Sequence, residues 1–93
     1  MKRAKKSLRD LLNITPEERA AAQLSFQISN RLEELMQKKC LTKKQLAEAI
    51  GKRPSEITRW LSGEHNFTIS TLSKLGTFFG EPLISVPDLT EKI

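Results

Sequence analysis

Leu41-Thr-Lys-Lys-Gln-Leu-Ala-Glu-Ala-Ile-Gly-Lys-Arg-Pro-Ser-Glu-Ile-Thr-Arg-Trp-Leu-Ser-Gly63 is the stretch on which the fold turns. Thr42 is followed three residues later by Gln45, the spacing at which an N-cap hydroxyl and an N3 side chain satisfy each other's backbone amides. Leu46, Ala47 and Ile50 continue at helical spacing, and Gly51 predicts a stop in the left-handed conformation. Pro54 and Ser55 open a second short helix, with Ile57, Trp60 and Leu61 facing inward and Gly63 closing it. Ala47 sits where the two helices cross closely. Ile57, ten residues later, packs the second helix back on the first, and Leu46 and Ile50 seal the pair from below.

Outward from this pair the chain reads mostly as helix. Thr15-Pro16-Glu17-Glu18 is a strong start, because Thr15 can cap, Pro16 suits the first helical position and Glu18 completes a capping box. Leu24, Ile28, Leu32 and Leu35 then form one apolar stripe of a long helix running to about Lys38. Downstream, Gly63 to Phe67 form a loop, Thr68 caps a further helix, and Ile69, Leu72, Leu75 and Phe79 are its expected buried stripe, ending at Gly80. Leu83-Ile84-Ser85-Val86 alternates between prolines and predicts a short strand. Residues 1–14 read as a basic arm with one or two helical turns from near Ser7, residues 15–81 as the domain, and residues 82–93 as a tail.

Ninety-three residues, 38% hydrophobic and 29% charged, suffice for one compact domain. No run approaches the roughly 18 apolar residues of a membrane span. The basic N-terminus lacks the apolar core of a signal peptide, so a soluble cytoplasmic protein is expected. Cys40 and His65 are the only residues of their kind, which leaves no internal disulfide and little for a metal site or Cys-His catalysis. Without paired carboxylates in a pocket or a Gly-rich phosphate loop, neither an enzyme nor a cofactor is expected.

Charge is more telling by position than by its total of +5. Residues 1–10 set five cations against Asp10, and residues 38–63 set seven against Glu48 and Glu56, giving +4 and +5. Residues 11–37 and 64–93 each carry −2. Positive charge gathered in an arm and one central segment suits a polyanion, nucleic acid first. The plain alternative is a basic protein with no such partner.

Two short helices joined by three or four residues, the second polar on its outer face, describe a helix-turn-helix, although a generic helical hairpin can carry the same pattern. Residues 41–63 resemble the helix-turn-helix of the Xre family, the lambda-repressor-like DNA-binding domains. The likeness extends through His65-Asn66-Phe67-Thr68-Ile69 and Thr71-Leu72 to Gly80. The long lead-in helix beginning Thr15-Pro16-Glu17-Glu18 resembles that of HigA-type antitoxins. The resemblance implies an all-α, lambda-repressor-like bundle of about five helices that binds operator DNA, double-stranded, as a homodimer.

It also makes residues 54–62 the recognition helix, its N-terminal end directed into the major groove. Arg53, Ser55, Glu56 and Arg59, with Thr58 beside them, become the base-reading set, and Arg59 the candidate for bidentate contact to guanine. Glu56 either accepts from a cytosine amine or holds Arg53 or Arg59 in place. Pro54 stands near a position where relatives carry a polar reader, so that contact is lost or taken over by Arg53. Lys43 and Lys44, at a helix start that already favours anions, and Lys52 in the turn are candidate phosphate contacts. His65 and Asn66 occupy a loop that touches phosphate in the family, although a solvated loop histidine is an equal reading for His65. Trp60 reads as core, and Cys40 as structural at a helix end where relatives often have Gly.

Three functional classes follow. One is a DNA-binding repressor, extending to the antitoxin of an autoregulated toxin–antitoxin pair with a toxin protein as partner. Another is a protein-interaction adaptor whose helix-turn-helix no longer binds DNA, against which Arg53, Arg59 and the preceding lysines argue. The third, a small enzyme, has the least support. For the arm, three roles stand open: wrapping DNA, docking a partner, or folding Leu8, Leu11, Leu12 and Ile14 back on the long helix.

Overall fold

The computed structural model describes residues 13–87, and within them the chain forms four helices: α1 (Pro16–Lys38), α2 (Lys43–Ile50), α3 (Pro54–Trp60) and α4 (Ile69–Phe79). Residues 1–12 and 88–93, and with them the helical turns expected from Ser7, lie outside the described residues. The expectation of about five helices is therefore corrected to four among the described residues.

The local signals act as their chemistry demands. Thr15 Oγ1 accepts from the Glu18 amide at 3.0 Å while Glu18 Oε1 accepts from the Thr15 amide at 2.9 Å. Thr42 and Gln45 repeat the exchange at 3.1 and 2.9 Å, and Thr68 Oγ1 accepts from the Thr71 amide at 3.1 Å. Gly51 closes α2 and Gly80 closes α4, each at φ 73°, where only glycine is free of steric cost.

The end of α1 is less ordinary. Cys40 adopts φ 56°, the left-handed region, with its amide donating to the Gln37 carbonyl and the Leu41 amide to the Met36 carbonyl. These two bonds define a Schellman stop, in which Leu41 folds back against the core beside Met36. Cys40 thus has a structural place at this helix end, and its thiol is exposed. Cys40→Gly is expected to stabilise the fold by about 1 kcal/mol, because glycine escapes the left-handed penalty and no buried contact is lost. The midpoint of urea unfolding checks this, and an unchanged or lowered midpoint contradicts it.

Leu32, Leu35, Leu46, Ile57 and Leu75 are fully buried at the centre, surrounded by Ile28, Met36, Ala47, Ile50, Trp60, Phe79 and Leu83. Every helix contributes, and α2 and α3 pack directly on each other, with Ala47 and Ile57 both buried in the shared core. Two ends of the expected stripes miss the core. Leu24 is exposed because the bundle covers α1 only from Ile28 onward; Ile69 is exposed and Leu72 only half-buried because the buried row of α4 begins at Leu75. Leu61 is half-buried rather than fully inward.

Residues 83–86 are not a strand, and the described residues contain none. Alternation there records that Leu83 is buried while Ile84 and Val86 face outward, a pattern that an extended segment lying on helices produces without a partner strand. The segment passes beside Gly76, where even a Cβ would meet the Glu81 carbonyl oxygen and the Pro82 Cα at 3.5 Å, ordinary van der Waals contact. The segment is fastened to α1 by Arg31, which donates to the Pro82 carbonyl at 3.1 Å and meets Glu81 at 3.2 Å, and by Lys38, 2.7 Å from Glu81. The Lys38 hydrogen bond, with the neighbouring charges of Lys38 and Arg31, holds the Glu81 carboxyl below its ordinary range.

Candidate nucleic-acid interface

Helix α3 is only seven residues long, and its orientation is set from both ends. At its start the Glu56 carboxylate accepts from the Arg53 amide at 2.9 Å, the half of a capping box that needs no acceptor on the N-cap side chain. At its end the hydroxyl of Ser29, a buried residue on α1, donates to the Trp60 carbonyl at 2.6 Å and accepts from the Gly63 amide at 3.1 Å. One side chain thereby replaces the next helical turn. For this reason α3 stops at Trp60, rather than running to Ser62, and Gly63 at φ 89° already belongs to the loop. Trp60 is in the core, as its spacing from Ile57 implies.

With its inner face anchored by Ile57 and Trp60, α3 leaves Arg53, Ser55, Thr58 and Arg59 exposed, while Glu56 is half-buried. The Thr58 hydroxyl donates to the Pro54 carbonyl at 3.3 Å, so its oxygen is left as an acceptor. Lys52, Arg53 and Arg59 all act electrostatically on Glu56. Its carboxyl lies below the ordinary value mainly through the Arg53 amide, with slight desolvation opposing and these three charges assisting. Glu56 therefore sits among the cations and supports the backbone that carries Arg53.

Lys43 and Lys44 occupy the first turn of α2, Lys52 lies in the turn before α3, and all three are exposed. Among the described residues the ion pairs are those of Arg31 with Glu34 and of Arg31 and Lys38 with Glu81. None involves a cation from Lys43 to Arg59, so the positive charge of the two-helix unit is not consumed by neighbouring carboxylates.

His65 and Asn66 follow α3 in the loop. Asn66 is exposed, and His65 is half-buried, edge-on to Phe67 with ring centroids 4.7 Å apart and tilted against Trp60 at 6.4 Å. Burial first, and then the Arg59 charge, push its imidazole below the ordinary value, which makes it a neutral N–H donor near pH 7. His65 thus lies against Trp60 at the end of α3, with the Arg59 charge acting on it. The structure thus gathers Lys52, Arg53, Glu56, Arg59 and His65 into one neighbourhood. Lys43 and Lys44 lie at the far end of α2. Ser29 is the residue that sequence reasoning missed, since nothing local distinguishes it from any other serine on a helix.

A short polar-faced helix held across a tight turn by a second one, with cations on both that pair with no carboxylate among the described residues, is the arrangement of a helix-turn-helix DNA-binding domain. The chain belongs to the Xre-like helix-turn-helix family of DNA-binding regulatory domains: the family model described as helix-turn-helix matches residues 32–85, more than half of its length. No curated protein and no solved structure matches the chain. No helix among the described residues is long and apolar enough to cross a membrane.

Proposed function

We propose that this protein is a sequence-specific repressor that binds a palindromic operator as a homodimer in the cytoplasm, and that it is the autoregulating antitoxin of a toxin–antitoxin pair. The observation that carries the DNA-reading part is the exposed outer face of α3, where Arg53 and Arg59 have no ion-pair partner among the described residues, on a helix held at both ends. Arg59 is the bidentate guanine reader, Arg53 and Ser55 contact neighbouring base edges, and Thr58 offers an acceptor and a methyl group. The Glu56 bond to the Arg53 amide favours positioning over direct contact with cytosine.

Lys43, Lys44, Lys52, His65 and Asn66 take backbone phosphates, His65 as a neutral donor. The antitoxin part rests on the long capped α1 that leads into the motif. A neighbouring gene for a small basic ribonuclease-like protein supports it, and the lack of one removes it while leaving the repressor.

Lys44→Ala is expected to weaken specific and non-specific duplexes alike, reducing the slope of log K against log salt by about one. Titrations of labelled duplex at several salt concentrations measure this. A loss confined to one sequence contradicts the phosphate role.

A further inference from the structure

Among the described residues Ser29 is the one polar residue that the core buries, and it stands on α1, outside the two-helix unit. A hydroxyl in an aliphatic core is costly unless it is hydrogen-bonded. Ser29 satisfies both of its roles on one short stretch of backbone, donating to the Trp60 carbonyl and accepting from the Gly63 amide. Neither backbone group has another backbone partner among the described residues. Trp60 is the last residue of α3, and Gly63 opens the loop that carries His65 and Asn66. A single oxygen on α1 therefore joins the end of the helix to the start of the loop.

Phe26, one turn earlier on α1, reaches the same place. A Cβ on Gly63 would stand 3.3 Å from its ring, so the ring lies against the loop where the backbone turns at φ 89°. Phe26 is itself 58% exposed and is not part of the core cluster.

We propose that Ser29, assisted by Phe26, is a positioning residue for DNA reading: it fixes the rotation of α3 and its register with the loop, so that Arg59 meets a base edge while His65 and Asn66 meet the phosphates of the same duplex. The inference rests on the DNA-reading role of α3 and adds to it a residue that touches no DNA. Burial of Ile57 and Trp60 keeps α3 on the core, but hydrophobic attraction is non-directional and sets no rotation. Hydrogen bonds are directional, and the two made by Ser29 supply what burial lacks. Base readers need placement to within about 0.5 Å. The lysines Lys43, Lys44 and Lys52, point charges on flexible stems, do not.

Fluorescence anisotropy of the full chain tests this, with the wild type, Ser29→Ala and Phe26→Ala each titrated against a selected duplex and a scrambled one. Circular dichroism fixes a temperature at which every protein compared is folded. Ser29→Ala is expected to lower the ratio of the two affinities about tenfold, the order of one lost base contact, while affinity for the scrambled duplex and its salt slope stay as in the wild type. Phe26→Ala is expected to lower the ratio by a smaller factor. A merely structural role reduces both affinities together, in step with the folded fraction, and leaves the ratio unchanged; that result overturns the inference. Where Ser29→Ala does not fold, Phe26→Ala decides, and an unchanged ratio again overturns it. A wild type that binds the two duplexes equally refutes the DNA reading itself, whereas a discriminating wild type beside equally discriminating variants refutes this inference alone.

Discussion

Leu46→Ala is expected to cost about 2–5 kcal/mol of folding stability, a large effect for this small domain. Leu46 is fully buried between the two helices of the motif and the rest of the core. Removing its branched end leaves a cavity lined by side chains that other contacts hold in place. With total stabilities of only about 5–15 kcal/mol in such domains, the loss approaches unfolding at physiological temperature. Urea unfolding followed by circular dichroism gives the value. DNA affinity should fall with the folded fraction, since α2 is what α3 leans on. A loss below about 1 kcal/mol would show that the two helices are held from elsewhere.

Arg59→Ala is expected to cost roughly 1–3 kcal/mol at the preferred DNA site and to relax preference at one base pair, while thermal stability stays unchanged. Its guanidinium is exposed on the second turn of α3 and has no carboxylate within ion-pair distance among the described residues, so the fold does not depend on it. Selection of bound duplexes from a random pool, carried out in parallel with wild type and variant, separates lost readout from lost affinity. Discrimination that survives the substitution would mean that α3 enters the groove on another face.

What the sequence revealed was local, and what it concealed was long-range. Thr15 with Glu18 and Thr42 with Gln45 announce their helices because each cap is completed within three residues. The ten-residue spacing of Ala47 and Ile57 announces the crossing of α2 and α3, and both are buried in the shared core. The Ser29 hydroxyl, in contrast, meets partners 31 and 34 residues away, and Arg31 meets Glu81 across 50. No periodicity encodes those contacts.

The stripes were overread at their ends for the same reason. Helical spacing shows which side of α1 is apolar but not how far the bundle extends along it, so Leu24 looked like core and lies outside. At 83–86 alternation predicts a strand, although two prolines and one buried leucine on a helical surface produce the same pattern. The exposed cations of the candidate interface were readable as residue types. Their freedom from ion pairs, and the role of Glu56 as a cap, needed coordinates.

The most direct test of the central claim is the affinity of the full chain for duplex DNA, selected site against scrambled site, measured by fluorescence anisotropy from about 50 to 200 mM salt. The account predicts a selected site bound at least about 10³-fold more tightly than the scrambled duplex, with both affinities falling steeply as salt rises. Equal affinity for the two sequences, or no binding to either at the lowest salt, would contradict it.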